Sequence, residues 1–398
     1  MMVPKDPDRN LQYRLSLLKS AEADEGFQRE LWSACASSIL FFVNAFAFTF
    51  NIRKWDETGQ TRQASNVHLP FVTWEIQDQH LLEIEKAINE GHDLLTDKTR
   101  EMGASWDHVV TFHHQWLFKA DRLFLEISRV ETDVDGADNP RCLFVKHDYL
   151  NRWLPPWIRP PDCLPSESAR TKMHIVNVLN RSRIDGESSN KAAGSGDRRH
   201  AVLLDEFAKC ENATKIKAAI ADVTACRLVN STPWGAGTAY AKWKKSGTIK
   251  VFTLPWWEHP DKGRGRRTIQ NPDTQAITIT SPWYEQETKR RDRREMAQEV
   301  DMNDMASGAQ YFDAIEILRH KQLFGKPALF SRNIDWVAKT PNESIPAAIM
   351  RSQLSLVQVT PGRTWRFWTR LIDGRLDQTK HYVFGIDISK GQGASNSV

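Results

Sequence analysis

The sequence lacks several features that would assign it to a narrow class. Its five cysteines are scattered and form no Cys-x-x-Cys pair, which argues against a zinc site or a disulfide framework and favours a reducing cytoplasm. Neither sign of charge dominates, because 54 Lys and Arg oppose 50 Asp and Glu, so any nucleic-acid site must be local. The start of the chain contains acids and no apolar block, unlike a secretory signal peptide.

A clear membrane-spanning run is also lacking. The candidate, residues 34–50, carries no formal charge, but it lies at the short end of the spanning range and contains Asn44 with several Ser and Thr. We therefore expect a buried helix or a helix–strand pair here and no membrane association.

The 398 residues, 40% of them hydrophobic and 26% charged, are typical of a soluble globular chain of two or three domains. Residues 1–69 read as an N-terminal helical region, and from Pro70 onward short β-rich runs alternate with helical stretches. This alternation predicts an α/β fold with a mostly parallel sheet flanked by helices. Predicted strands cover 93–96, 142–146, 173–179, 201–204, 227–230 and 248–254. Predicted helices cover 78–90, 103–120 and 206–221, and 181–200 is expected to be an exposed loop.

The composition changes after residue 255, where two basic runs, 262–267 and 289–294, are interleaved with aromatic residues. We expect residues 70–255 to form the core, 256–375 a subdomain and linker, and 376–398 the start of a further domain. The two basic runs are candidate contacts for DNA phosphates. A solvated helix face explains the second run equally well.

The first constellation with chemical meaning is the segment KTREMGAS at 98–105, which follows a predicted strand and opens a predicted helix. Such a turn directs backbone N–H groups and the positive end of the helix dipole to one place, which suits phosphate oxygens. The segment keeps Gly103 and the Ser105 hydroxyl of the common phosphate loop, but Ala104 replaces its lysine. Lys98 and Arg100 can supply the cation instead. Taken alone, the segment fits an ordinary turn equally well.

The second constellation is VLLDEFA at 202–208, an apolar strand that ends in two acids. In an α/β sheet this position adjoins the phosphate loop, where Asp205 can hold Mg²⁺ directly or through water. Glu206 can then face the attacking water as general base. A strand end with two solvated carboxylates is common in unrelated proteins, but the order of the two motifs favours a nucleotide site.

Two weaker signals flank these motifs. NSTPWG at 230–235 follows the next predicted strand, and its Ser231 and Thr232 hydroxyls, with Pro233 behind them, can contact a terminal phosphate or its water. A simple Pro-Gly turn is equally compatible. Upstream, Gln77 precedes the loop, and its amide can both donate to and accept from an adenine edge.

Together these segments, with FFVNAFAFTFNIRKW at 41–55, resemble the large terminase subunit of tailed phages, the motor that packages DNA into procapsids. The resemblance implies a P-loop NTPase-type fold, an ATPase, and ATP and Mg²⁺ as cofactors. It implies that Ser105 and Asp205 hold the metal and that 231–233 couples phosphate loss to movement. The residues implied to surround the nucleotide are Gln77, Lys98, Thr99, Arg100, Glu101, Met102, Gly103, Ala104, Ser105 and Asp205.

The resemblance also extends to the C-terminal segment YVFGIDIS, which is similar to the first strand of the family's RNase H-like nuclease domain. Asp387 matches the first metal-binding acid of that domain, and the remaining acids would lie beyond Val398, so we expect no DNA cleavage by this chain. An arginine that reaches the phosphates is implied as well, with Arg198 and Arg199 as candidates. A solvated charge pair on a loop explains these two arginines equally well.

The partners implied by the resemblance are double-stranded DNA, the small terminase subunit and the portal protein of the procapsid. Activity is expected in a homo-oligomeric ring, a pentamer, in the host cell cytoplasm and transiently docked on the procapsid. Two alternatives remain open at the level of sequence. One is a nucleic-acid helicase or remodelling P-loop ATPase. The other is a structural or membrane-associated protein in which residues 34–50 insert into lipid.

Overall fold

The computed structural model describes residues 3–136, 139–189, 194, 196–270, 277–305, 314–327, 329–333, 364–367 and 379–380. The chain divides into two compact units, Met1–Ala314 and Ile315–Val398. The described part of the second unit comprises most of one helix and one antiparallel strand pair. The predicted nuclease strand and its Asp387 lie outside the described residues.

The described α-helices are α1 (Pro7–Ala23), α2 (Glu25–Ser37), α3 (Ile39–Phe46), α4 (Glu75–Glu90), α5 (Ala104–Phe118), α6 (Glu131–Val134), α7 (Leu143–Trp153), α8 (Ala213–Ala219), α9 (Ala239–Lys245), α10 (Pro282–Arg290), α11 (Arg293–Glu299) and α12 (Ala314–Phe324). Short 3-10 turns cover Phe207–Lys209 and Trp256–Glu258.

The described strands are β1 (Phe48–Phe50), β2 (Arg53–Trp55), β3 (Thr61–Gln63), β4 (His68–Pro70), β5 (Leu94–Lys98), β6 (Leu123–Ser128), β7 (Arg170–Thr171), β8 (His174–Asn177), β9 (Ser182–Ser188), β10 (Ala201–Asp205), β11 (Arg227–Ser231), β12 (Lys250–Leu254), β13 (Arg267–Gln270), β14 (Ile277–Thr280), β15 (Phe330–Asn333) and β16 (Thr364–Phe367).

The centre of the first unit is an eight-stranded sheet in the order β12-β5-β11-β10-β6-β9-β8-β7. The strands from β12 to β9 are parallel, and β8 and β7 continue the sheet antiparallel. Every residue of β5 and β10 is buried, as expected for parallel strands covered by helices on both faces. The predicted α/β class with a mostly parallel sheet is therefore confirmed.

The two faces of the sheet pack against different helices. Leu94 and Leu228 belong to a core that includes side chains of α1 to α5 and α7. The next residues along the same strands, Leu95 and Val229, belong to a second core with side chains of α8 and α9. This alternation follows from the two-residue period of a strand.

The apolar run at 34–50 forms the end of α2, the buried helix α3 and strand β1, which confirms the predicted helix–strand pair. Among the described residues, no helix is both long enough and apolar enough to cross a bilayer. The N-terminal region is helical up to Phe46 and continues as the short strands β1 to β4.

The strand predicted at 142–146 was wrong, because helix α7 begins at Leu143. Leu143, His147 and Leu150 are all buried and recur at the spacing of one helix face. A run of only five residues does not reveal this period, since short apolar runs fit a strand and a buried helix equally well.

Three strands of the central sheet were not predicted, namely β6, β7 and β9, and all of them lie on the β6 side of the sheet. β6 itself was missed, and β9 occupies the first half of the region 181–200, which was predicted to be an exposed loop. β9 pairs in parallel with β6 and buries Ser182 and Ile184. The predicted helix at 206–221 is broken into a 3-10 turn and the short α8.

The buried guanidinium of Arg14 holds the N-terminal helices to the chain that follows them. Only 3% exposed, it donates to Asn10 Oδ1 at 2.7 Å and to the carbonyl oxygens of Val43 at 3.1 Å and Ala47 at 2.8 Å. Burial lowers the pKa of Arg14 to about 9.

We expect Arg14→Met to lower the free energy of unfolding by about 3 kcal/mol, because buried oxygen atoms would lose their donor. Urea denaturation followed by circular dichroism measures the effect. Arg9→Met, on the exposed side of the same helix, is the matched control and should shift the midpoint little. Equal midpoints for both variants would contradict this role of Arg14.

Candidate active site

The carboxyl ends of three adjacent parallel strands form the candidate site. β11 lies between β5 and β10, and its Asn230 stands opposite Asp205 in the strand register. Asp205 Oδ1 accepts hydrogen bonds from Asn230 Nδ2 at 2.6 Å and from Ser105 Oγ at 3.0 Å. The predicted hydroxyl and the first predicted acid are therefore in direct contact, although 100 residues separate them in the chain.

Lys98 and Glu206 form the second contact of the site. Lys98 is the last residue of β5, and its Nζ lies 3.5 Å from Glu206 Oε1, while Lys209 Nζ lies 2.8 Å from Glu206 Oε2. Burial alone would raise the pKa of Glu206, but these cations outweigh it and lower the pKa to about 2. Burial raises the pKa of the neighbouring Asp205. Glu206 is thus ionised at neutral pH and held by two ammonium groups.

The backbone at both turns adopts conformations that L-residues rarely take. Glu206 has a φ of 52° immediately after β10, and Glu101 has a φ of 59° within the loop between β5 and α5. Left-handed backbone at a non-glycine residue costs free energy and is concentrated at functional sites. Here it turns the chain sharply at the end of each strand.

Gly103 is required by the structure immediately before α5. Its φ is 79°, and a Cβ at this position would lie 2.5 Å from Gln77 Nε2. The 15-residue helix α5 begins at Ala104, so its amino end and the loop amides face the carboxyl edge of the sheet. This arrangement can bind an anion of the size of phosphate.

Gln77 is placed beside the loop, but both ends of its amide bind the chain's own backbone. Its Nε2 donates to the Met102 carbonyl at 3.2 Å, and its Oε1 accepts from the Trp74 amide at 3.2 Å. Gln77 is 3% exposed. In the structure Gln77 therefore supports the loop through these two hydrogen bonds, and adenine recognition by Gln77 stays a prediction.

The remaining loop side chains point to structural partners rather than into the site. Met102 and Ala104 pack against Leu254 of β12. Thr99 Oγ1 donates to the Val300 carbonyl at 2.7 Å and accepts from the Trp256 amide at 3.1 Å. These residues contribute their backbone to the loop, as phosphate binding by amides would require.

Arg100 contacts the last residue of α11, Glu299. Its amide donates to the Glu299 carbonyl at 2.8 Å, and its Nη1 lies 3.0 Å from Glu299 Oε2. The side chain is 53% exposed, so this ion pair can exchange with another anion at little cost. Sequence analysis missed Glu299 because nothing in its local pattern indicates a partner so distant in the chain.

The predicted coupling segment contacts the acidic turn. Ser231 Oγ accepts from the Ala208 amide at 3.1 Å, two residues after Glu206. Thr232 is buried, and its Oγ1 has no hydrogen-bond partner among the described residues. Pro233, also buried, follows directly. A buried hydroxyl without a partner among the described residues suits an additional polar ligand.

The oxygen atoms of the site fit Mg²⁺. Two neighbouring ligands of an octahedral ion with bonds of about 2.1 Å lie about 3 Å apart, and Ser105 Oγ and Asp205 Oδ1 are 3.0 Å apart. Asn230 Oδ1 is buried nearby and lacks a partner among the described residues. No group of three or more His, Cys, Asp or Glu able to hold a metal occurs in the described part of the chain. Magnesium would therefore share protein oxygens with phosphate and water.

The candidate arginines lie at the opposite edge of the sheet. Arg198 and Arg199 precede the amino end of β10, and Arg199 pairs with Asp185 and donates to the Phe124 carbonyl. The five residues of β10 separate them from Glu206 by more than about 13 Å. Within one chain the structure does not bring them to the phosphate loop.

The first basic run contains one buried lysine and arginines that pair with acids of the chain itself. Lys262 is 1% exposed, and each described arginine of the run lies beside an acid. The pairs are Arg264 with Asp261, Arg266 with Glu258, and Arg267 with Glu285. In the second run, Arg290 and Arg291 both pair with Glu287. DNA contact by these runs stays a prediction.

Comparison with known proteins gives a distant likeness of fold. No protein-family model and no curated protein sequence matches the chain. The ATPase domain of the large terminase of Thermus phage P74-26 aligns at 14% identity with a TM-score of 0.38, over 57% of this chain and 98% of that domain. The large terminase of the thermophilic bacteriophage D6E in complex with ADP aligns at 10% identity with a TM-score of 0.35, over 46% of each chain. The function proposed below therefore rests on the residues of the site.

Gly103→Ala should destabilise the fold by about 1–2 kcal/mol, because the added Cβ strains the left-handed backbone and displaces Gln77. Thermal unfolding measures the change. Gly237→Ala is the matched control, since no atom lies within 4 Å of its Cβ position, and it should leave the midpoint nearly unchanged. Equal midpoints for the two variants would show that the loop does not need its glycine.

Proposed function

We propose that this chain binds ATP with Mg²⁺ and hydrolyses the terminal phosphate at the carboxyl edge of its central sheet. The observation that carries the proposal is the convergence of Lys98, Ser105, Asp205 and Glu206 in two direct contacts. A loop with free amides, a cation, a metal-binding oxygen pair and a second carboxylate are the parts that phosphoryl transfer requires.

The loop between β5 and α5 cradles the phosphates through its backbone, and Lys98 and Arg100 contribute the positive charge. Both cations are paired with carboxylates, Glu206 and Glu299, in the structure. A triphosphate carries more negative charge than one carboxylate and can attract the two side chains away from these partners. Ser105 and Asp205 would hold Mg²⁺, which neutralises charge on the phosphate oxygens.

Nucleotide binding prepares Glu206 for its role as general base. While Lys98 and Lys209 surround the carboxylate, its pKa of about 2 makes it a weak base. Transfer of Lys98 to the phosphates removes the largest of these stabilising charges, so the pKa of Glu206 rises. The carboxylate is then free to orient a water and accept its proton. Base strength thereby increases only when the substrate is present.

The coupling segment can transmit loss of the phosphate. Ser231 joins the acidic turn through the Ala208 amide, and its carbonyl accepts from Tyr240 Oη at 3.3 Å. The same Tyr240 hydroxyl donates to Asp97 Oδ1 at 2.8 Å, one residue before Lys98. The hydrogen bonds therefore connect the loop strand, the coupling segment and α9.

We further propose that the ATPase drives packaging of double-stranded DNA by a phage terminase large subunit. Support comes from the order of the deviant loop, the acidic strand and the coupling motif in the sequence. On this proposal the chain acts in a ring, with the small terminase subunit and the procapsid portal as partners, in the host cytoplasm. In such a ring, Arg198 or Arg199 of a neighbouring chain could reach the phosphates, although these arginines lie at the opposite edge of the sheet from the site of their own chain.

Glu206→Gln should retain ATP binding within about threefold and lower the rate of hydrolysis at least roughly 100-fold, because the amide cannot accept the proton. Binding is measured by equilibrium titration and hydrolysis by phosphate release. Glu211→Gln, at an exposed position close by, is the control and should behave like wild type. Full turnover by the Glu206 variant would remove this residue from the mechanism.

Lys98→Ala should weaken ATP binding by roughly tenfold or more, because the loop loses its buried cation and Ala104 cannot replace it. Fluorescence titration with a labelled ATP measures the affinity. Lys215→Ala removes an exposed lysine and serves as the control. Unchanged affinity of the Lys98 variant would shift the phosphate-binding role to Arg100.

A further inference from the structure

Lys262, which begins the first basic run, is one of the most deeply buried lysines of the described chain. Its side chain is enclosed beneath the phosphate loop, and only 1% of the residue is exposed. Its Nζ donates to the carbonyl oxygen of Glu101 at 3.2 Å and to the carbonyl oxygen of Arg100. The residue therefore contacts the loop from the side of the backbone oxygens.

The surroundings of this ammonium group are aromatic. Nζ lies 5.0 Å from the ring centroid of Trp55 and 4.9 Å from that of Trp283. Lys262 forms no ion pair within the described ranges of the chain, and burial lowers its pKa to about 7. A buried ammonium without a carboxylate is costly, which indicates a task beyond packing.

The task follows from the geometry of the peptide group. A trans peptide is planar, so its N–H points opposite to its C=O. Because Lys262 binds the carbonyls of residues 100 and 101, the amides that follow, those of Glu101 and Met102, point away from Lys262. Neither amide donates to any residue that the structure describes. Glu101 is an exposed residue, so its oriented amide is left available to a ligand. Met102 is fully buried, so its amide is oriented but covered.

We propose that Lys262 is a positioning residue of the phosphate-binding loop, and that it fixes two peptide groups so that the Glu101 amide binds the polyphosphate of a nucleotide. The inference rests on the proposed function, because it concerns the same loop. It adds to the proposed site Lys262, which lies 162 positions after Arg100 in the sequence and outside the predicted core at 70–255. The ligand class is a nucleoside di- or triphosphate, because these are the substrate and the product of the proposed reaction.

The test compares Lys262→Met with wild type in the full chain. Methionine fills the space between the two tryptophans without donating to the carbonyls, so both peptide groups become free to rotate. We expect ATP and ADP binding to weaken by roughly tenfold, AMP binding to change less than about threefold, and KM for ATP to rise more than kcat falls. Lys289→Met, at an exposed position of α10, is the control and should match wild type.

Two further variants extend the test, one as a conservative replacement and one as a substitute if the first variant does not fold. Lys262→Arg preserves the donors and should restore at least part of the ATP affinity. If Lys262→Met does not fold, Lys262→Leu, which also lacks a donor, replaces it, and the same loss of ATP and ADP affinity is expected. ATP affinity within about threefold of wild type in a folded Met or Leu variant would overturn the inference alone. Failure of the wild-type chain to bind ATP would instead contradict the proposed function.

Discussion

The site depends on the contact between the Lys98 ammonium and the Glu206 carboxylate across the end of the central sheet. Lys98 is the last residue of β5 and Glu206 directly follows β10, and β11 lies between these two strands. The contact exists because all three strands are parallel and buried, so their polar ends meet at one edge. Any change that shifts one of these strands would separate the ammonium group from the carboxylate and disrupt the geometry that the proposed phosphate binding requires.

The loop at 99–103, which is proposed to bind phosphate, is supported from two sides. On one side, Gln77 of α4 donates to the Met102 carbonyl. On the other side, the chain between β12 and residue 301 contacts the start of the loop, because Thr99 donates to it and its Lys262 donates to the Arg100 carbonyl. The loop therefore has little freedom, and its amides are oriented before a ligand arrives. Preorganised donors of this kind bind developing negative charge without the cost of ordering them.

The sequence was sufficient for the parts that depend on local pattern. β5, β10 and β11 were predicted within two residues, because buried parallel strands read as short apolar runs bounded by polar residues. The convergence of Ser105 with Asp205 followed from the topology that such runs imply. The helix at α7 was mistaken for a strand because the run 142–146 is too short to reveal a helical period.

The contacts between distant segments could not be predicted. Lys262 reads as the first member of a basic run that was predicted as a candidate DNA contact, and only the packing of Trp55 and Trp283 around it shows that it is buried. Gln77 similarly reads as a base-recognition residue, whereas the structure engages its amide with backbone. In both cases the side chain's role is set by tertiary neighbours that leave no periodic signal in the sequence.

The most direct test of the account is a crystal structure of the chain with a non-hydrolysable ATP analogue and Mn²⁺, whose anomalous signal locates the metal. The account predicts the terminal phosphates on the loop at 99–103, the metal at Ser105 and Asp205, and Lys98 moved from Glu206 to phosphate. A nucleotide bound elsewhere would contradict it. An example is the cavity of about 670 Å³ lined by Trp106, Tyr149 and Arg152, with the Lys98–Glu206 pair intact.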